Sequence, residues 1–185
     1  YEHLTRSRNI GYAYFKSRGL ADETMVKFGL GYAPESGYAL VKHLRKAGVS
    51  DDDMLKLGLA SKGKNGLYDR FRGRVIFPIL NTTGKVIGFG ARTLKDDVKP
   101  KYLNSAESEI FLKKNNLFGL NLSRKEISDE DRVIVVEGYM DAISLYQRGI
   151  TNVVASLGTA LTEHQGRLLG KYAKQIIIGY IDLTQ

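Results

Sequence analysis

Residues 132–141 read Arg132-Val133-Ile134-Val135-Val136-Glu137-Gly138-Tyr139-Met140-Asp141, and this order of side-chain types decides the fold. Four consecutive apolar residues, all β-branched, suit a strand buried on both faces, as in a parallel sheet. The run stops at a carboxylate and a glycine, after which Met140 to Arg148 has helical character and is closed by Gly149. Downstream the same grammar repeats. A second strand is expected over Thr151–Ser156, then a helix from Thr162 to Lys174 with Leu161, Leu168, Leu169 and Tyr172 on one face, then a third strand over Ile176–Tyr180. Strand, helix, strand, helix, strand with short links is an α/β unit, most simply parallel with right-handed crossovers.

Ligands of an open parallel sheet bind at the carboxyl ends of its strands. Glu137 stands at such an end, and Asp141 lies four residues on, in the first turn of the following helix. Two readings are open. Paired carboxylates here can hold Mg²⁺, a hard cation that takes oxygen ligands and bridges them to phosphates. Alternatively, Asp141 caps the helix and Glu137 is a solvated loop residue. The second strand ends in Ser156-Leu157-Gly158-Thr159, either an anion-facing loop or a tight strand-to-helix turn.

Working upstream, residues 123–132 are strongly charged and mark an expected boundary between a lobe over residues 1–131 and a second over 132–185. Residues 95–131 read as polar and irregular. Residues 9–58 read as short helices. The first spans Gly11–Arg18 and ends at Gly19. The second has Asp22 as N-cap, with Met25, Val26 and Phe28 turned inward. Ser36 caps the third, and Ser50 the fourth, which opens on Asp51–Asp53. Arg74-Val75-Ile76-Phe77-Pro78-Ile79-Leu80 and Lys85–Arg92, joined by Asn81-Thr82-Thr83-Gly84, form a β-hairpin. Gly88 and Gly90 suit close backbone packing in that sheet better than a nucleotide loop.

Asp69-Arg70-Phe71-Arg72-Gly73-Arg74 leads into the hairpin. Read as a strand, it projects Arg70, Arg72 and Arg74 to one face, where three guanidiniums suit a phosphate backbone or a triphosphate. A charged, solvated edge strand is the alternative. Lys101, Tyr102 and Asn104 add a cation, an aromatic face and a base-reading amide, and Lys113-Lys114 continue the basic theme. Cations interleaved with rings are what single-strand binding requires.

The bulk composition is compatible with these readings. The 185 residues are 43% hydrophobic and 26% charged, with a net charge of +8, so an anionic partner is favoured, nucleic acid first. There is no cysteine, which excludes disulfides and a thiolate zinc site in this chain and is compatible with a reducing cytoplasm. His3, His43 and His164 form no ligand-spaced pair, and no apolar run reaches the roughly 18 residues of a membrane span. Tyr1-Glu2-His3 is no signal peptide, and a start without Met reads as an excised fragment.

Val133–Asp141 resembles the first motif of the Toprim fold, shared by bacterial primases, topoisomerases and some nucleases, and Ala155–Thr159 is similar to the second-strand loop of the primase branch. Tyr68–Ile79 and Lys99-Pro100-Lys101-Tyr102-Leu103-Asn104-Ser105 resemble the basic motifs of bacterial, DnaG-type replicative primases. Tyr14–Leu20 and Phe28–Pro34 fit the same family, in the same order. The resemblance implies an α/β chain, with an α+β N-terminal lobe followed by a partial Toprim parallel α/β lobe. It implies DNA-templated synthesis of RNA primers, in which a ribonucleotide 3′-hydroxyl attacks an α-phosphate and pyrophosphate leaves. Glu137 is then the catalytic acid at a Mg²⁺ or Mn²⁺ centre, with Asp141 in the same acidic cluster. Arg70, Arg72, Arg74, Lys101, Tyr102, Asn104 and Lys113 would handle template or triphosphate.

The implied partners are single-stranded DNA, ribonucleoside triphosphates, an RNA–DNA hybrid and, through a domain outside this chain, the replicative helicase. Zinc belongs to a separate module, no membrane is involved, and the location is the bacterial cytoplasm at the nucleoid. The family's third strand should end in an Asp-x-Asp pair, the main metal ligands, whereas this sequence offers the lone Asp182, shifted by one position. The tail after Tyr180 therefore reads as an artificial end or as residues joined across a missing stretch, and the fragment alone is expected to be inactive. Another Toprim enzyme, or a module that only binds single-stranded DNA, remains the alternative.

Overall fold

A computed structural model describes residues 9–158 and 160–179. The chain divides into two compact units. One comprises the residues up to Gly19, Gly29–Pro78 and Gly88–Phe111; the other comprises Leu20–Phe28, Ile79–Ile87 and the residues from Leu112 on.

In the first unit, α1 (Ile10–Ser17) starts where the Asn9 carboxamide oxygen accepts from the Gly11 and Tyr12 amides, at 3.0 and 3.2 Å. Helix α2 (Asp22–Lys27), assigned to the second unit, follows. Asp22 is its first residue rather than its N-cap, which is Ala21, and Val26 is 50% exposed rather than buried. The short strand β1 (Gly31–Ala33) leads to α3 (Ala39–Lys46), and α4 (Asp51–Lys56) is capped by Ser50 as its sequence predicts. Helix α3 is not capped by Ser36. Its cap comes from the end of β3: strands β2 (Ala60–Gly63) and β3 (Gly66–Asp69) pair antiparallel, and the Asp69 carboxylate accepts from the Leu40 and Val41 amides, each at 2.9 Å. Val41, Met54, Ala60 and Leu67 close a small core between these helices and this ribbon.

The expected hairpin is present as β4 (Arg74–Leu80) and β5 (Val86–Thr93), turned at Asn81–Lys85. With β6 (Tyr102–Asn104) it forms a sheet in the order β1-β4-β5-β6. Phe77 packs edge-on to Phe15 at 5.8 Å between ring centroids. A Cβ on Gly88 would stand 3.2 Å from the Phe111 ring, so this glycine serves close packing, as its place in a strand suggests.

In the second unit, a 3₁₀ turn (Lys113–Asn115) precedes α5 (Leu120–Glu130). This helix lies in the stretch expected to be irregular. It forms because Leu120, Ser123 and Ile127 recur at helical spacing and bury against the sheet, with the Ser123 hydroxyl donating to Val153 O at 2.8 Å. Then come β7 (Arg132–Val136), α6 (Tyr139–Gln147), β8 (Val153–Ala155), α7 (Glu163–Leu169) and β9 (Gln175–Ile178). The three strands are parallel in the order β8-β7-β9. Helix α7 has the predicted Thr162 cap but stops at Leu169, near Gly166 and Gly170, well before Lys174. Val133, Val135, Val154, Ile127 and Leu169 form the core of this unit, and full burial of each such side chain is worth about 1.5–3 kcal/mol. Phe118 stacks on Phe28 at 5.7 Å and meets Tyr139 edge-on at 4.9 Å.

Candidate functional site

Glu137 follows the last residue of β7, the central strand, at the carboxyl edge of the parallel sheet, and it is exposed. Val136 pairs with Ala155 of β8, so the ends of the two strands are level. The turn after Glu137 is shaped by Asp141, whose Oδ2 accepts from the Gly138 N–H at 3.1 Å. A Cβ on Gly138 would come within 2.6 Å of that same oxygen, so the carboxylate sits where a side chain at 138 would go. Asp141 therefore acts from the third position of α6 to hold the turn that presents Glu137, and one of its oxygens is engaged in doing so. Among the described residues, no three His, Cys, Asp or Glu side chains gather into a set that could hold a metal ion. The carboxylates of Glu137 and Asp141 are hard oxygen donors of the kind suited to Mg²⁺ or Mn²⁺, but two of them alone do not make a ligand set. Asp182 and Thr159 lie outside the described residues.

The basic residues of the first unit are arranged differently from the expected row. Residues 70–73 are a bend between β3 and β4, not a strand, because Gly73 adopts a left-handed φ of 58° and redirects the chain. Arg70, Arg72 and Arg74 thus share no strand face. Arg74 is only 5% exposed and donates to Lys101 O at 3.2 Å, and burial, with Arg72 nearby, pulls its guanidinium below its usual pKa. It braces the backbone at Lys101, just ahead of β6. Arg72 is exposed and lies over the Tyr68 ring at 4.9 Å. Arg70 is half-buried, its Nε enclosed without a hydrogen-bond partner.

Tyr102, 47% exposed, pairs in register with Arg92 across β5 and β6. The Arg92 guanidinium lies 4.9 Å from the Tyr14 ring and 6.0 Å from the Tyr102 ring. Burial pushes the Tyr14 phenol above its ordinary pKa, and Arg92 beside it opposes the shift. Sequence reasoning missed Arg92; the signal available was its place opposite Tyr102 once β5 and β6 pair antiparallel. Two adjoining cavities, each about 230 Å³, share Thr93, Lys95 and Val98. One adds Arg72 and Glu35, the other Arg92, Lys99 and Lys101. Glu35, also absent from the sequence prediction, pairs with Lys95 at 2.8 Å. Asn104 sits on β6 opposite Gly90, and Lys113 opens the 3₁₀ turn of the second unit.

A basic, aromatic-lined surface in one unit and a carboxylate at the edge of a parallel sheet in the other can bind a phosphate polymer and orient a cation. Residues 1–124 match the model of the DNA primase catalytic core, N-terminal domain, and residues 134–182 match the Toprim-like model.

The chain belongs to the DNA primase catalytic-core family.

A DNA primase of Clostridium acetobutylicum is 52% identical over 167 residues, covering 90% of this chain and 28% of that relative. The chain thus spans less than a third of that primase's length. The RNA polymerase domain of Mycobacterium tuberculosis primase DnaG superposes with a TM-score of 0.90 at 31% identity, over 97% of this chain and 61% of that one. A DnaG primase catalytic domain solved bound to ssDNA superposes with a TM-score of 0.85 at 37% identity, over 96% and 57%. The α/β class expected of a primase core is thereby established, and among the described residues no helix is long and apolar enough to cross a membrane.

Proposed function

We propose that this chain carries the polymerising part of a DNA primase that makes RNA primers on single-stranded DNA. The observation that carries the reading is Glu137, held at the carboxyl end of the central parallel strand by the Asp141–Gly138 turn, within the Toprim-like match. In this reading residues 1–131 act as the basic lobe and 132–185 as the Toprim lobe, a division supported by the interval left between the two family matches. Arg72, Lys101 and Lys113 contact phosphates of template or ribonucleoside triphosphate. Tyr102, steadied by Arg92, stacks on a base, and Asn104 reads or positions one. Arg74 acts indirectly, through the Lys101 backbone, and Arg70 joins the phosphate contacts.

Glu137, supported by Asp141, contributes to a Mg²⁺ or Mn²⁺ centre whose remaining ligands lie beyond the described residues, Asp182 being a candidate. When bound, such a cation stabilises charge on the attacking and leaving oxygens of phosphoryl transfer. The product strand is held as an RNA–DNA hybrid. A helicase-binding domain and a zinc module belong to other parts of the whole protein, which works in the bacterial cytoplasm at the nucleoid. A DnaG catalytic domain with ssDNA bound supports the template assignment.

The test is primer synthesis on single-stranded DNA with Mg²⁺ or Mn²⁺, using the whole protein that carries these residues and its Glu137→Gln variant. Metal-dependent oligoribonucleotides, lost in the variant, are expected. Salt-sensitive DNA binding with no product from either protein would overturn the polymerase reading in favour of a binding module.

A further inference from the structure

The cap of α7 does more than begin a helix. Thr162 Oγ accepts from the Gln165 N–H at 3.2 Å, and Gln165 Oε1 accepts from the Thr162 N–H at 3.0 Å, the usual reciprocal pair. Both side chains then reach a segment about fifty residues earlier. Gln165 Nε2 donates to Lys113 O at 3.0 Å and to Asn116 O at 2.8 Å, and Thr162 Oγ donates to Lys114 O at 2.8 Å. Gln165 is fully buried, and both of its amide protons and its oxygen are used.

Strand register says where this segment lies. Phe118 and Ala155 exchange both backbone hydrogen bonds in an antiparallel bridge, at 2.9 and 3.0 Å. Stepping back from Phe118 toward Lys113 therefore runs past the carboxyl end of β8. Ala155 is level with Val136, and Glu137 follows Val136. The Lys113–Asn116 turn and Glu137 thus belong to the same edge of the same sheet. Ser156–Gly158 follow the Phe118–Ala155 bridge, and Ala160 and Leu161 lead into the Thr162–Gln165 clamp.

We propose that Gln165, assisted by Thr162, is a positioning residue that fixes the Lys113–Lys114 turn at the carboxyl edge of the parallel sheet, so that these ammonium groups meet the phosphates of a nucleic-acid strand or a triphosphate. The proposal rests on reading Lys113 as a phosphate contact. Gln165→Glu separates the clamp from the cap. A glutamate at this position still accepts from the Thr162 N–H, but it has at most one proton to offer where the amide offers two, so at least one of the bonds to the Lys113 and Asn116 oxygens is lost, and an ionised carboxylate loses both.

The experiment measures, in the full chain, the affinity for a fluorescent oligo-dT across a salt series, competition by ATP, and amide exchange over residues 112–118. The variant Lys113→Ala/Lys114→Ala should lower the slope of log affinity against log salt by up to about 1.4, from two phosphates at about 0.7 each. Gln165→Glu should lower it in the same direction and speed exchange at Asn115 and Asn116, with exchange in β7 retained. The slope is indifferent to a smaller folded fraction, so plain destabilisation does not mimic the result. Loss of ATP competition with an unchanged oligo-dT slope assigns the phosphates to the triphosphate, and the converse assigns them to the strand.

A lowered slope in the lysine variant with an unchanged slope and ATP competition in Gln165→Glu overturns the clamp and leaves the reading of Lys113 standing. No change of slope or competition in the lysine variant overturns that reading and the clamp's purpose together. Thr162→Val, which removes only the hydroxyl, decides the matter if the buried carboxylate prevents folding: it must speed exchange over the same segment and weaken slope or competition, and no change in either refutes the proposal.

Discussion

Asp69 sits beside the arginines of the basic motif, yet its carboxylate serves α3. It is 2% exposed, and its two oxygens accept from Leu40 and Val41 while its own amide donates to Gly37 O at 2.6 Å. Asp69→Ala removes two hydrogen bonds to a charged acceptor and leaves two amides at a helix start without partners. At about 1.5 kcal/mol for each such bond, the loss is about 3 kcal/mol. For a chain of this size that lowers the melting temperature by about 6–12 °C. Asp69→Asn keeps one acceptor oxygen and should lose about half as much. Calorimetry gives the melting shift, and amide exchange at Leu40 and Val41 shows whether the helix start is where stability was lost. The alternative, that Asp69 merely tempers the neighbouring positive charge, predicts tighter DNA binding and an unchanged melting temperature in Asp69→Ala. A shift below about 2 °C with unaltered exchange at both amides would refute the capping argument.

Arg72→Ala should weaken oligo-dT binding and lower its salt slope by about 0.7, whereas Arg74→Ala should chiefly lower the melting temperature, since Arg74 is buried and bonded to Lys101 O. An Arg74→Ala protein with normal melting and a lowered slope would return Arg74 to the phosphate contacts. Burial raises the Tyr14 phenol above its ordinary value of 10.0, so the folded state holds that proton longer than the unfolded state, and stability is lost as pH rises from about 10 through the folded value. Tyr14→Phe should flatten that alkaline decline in melting experiments, and an identical decline in both proteins would count against it.

The central strand, the Glu137 turn and the hairpin were legible in the sequence because each is written locally. Four β-branched residues in a row suit a buried strand, a glycine after a carboxylate marks its end, and two apolar runs joined by a short turn are placed to pair with each other. The order of the basic motifs was legible too, and with it the primase family. The helix over Leu120–Glu130 was missed because its charged residues hid a narrow stripe formed by Leu120, Ser123 and Ile127, which has meaning only once a sheet lies beneath it.

Tertiary structure alone decided which polar groups meet across long stretches of chain. Asp69 caps a helix 28 residues earlier, Arg74 reaches a carbonyl 27 residues later, and Gln165 reaches back 52 residues to Lys113 O. Residue type sets what each side chain can donate or accept, and local periodicity sets which face it occupies. Neither specifies a distant carbonyl, because that partner is fixed by strand register and by the packing of whole elements. So the sequence by itself identified a carboxylate at a sheet edge and a set of basic residues, and only the folded chain sorted those bases into Arg72 at the surface, Arg74 as a buried brace and a lysine turn held by Gln165, and added Arg92 beside Tyr102.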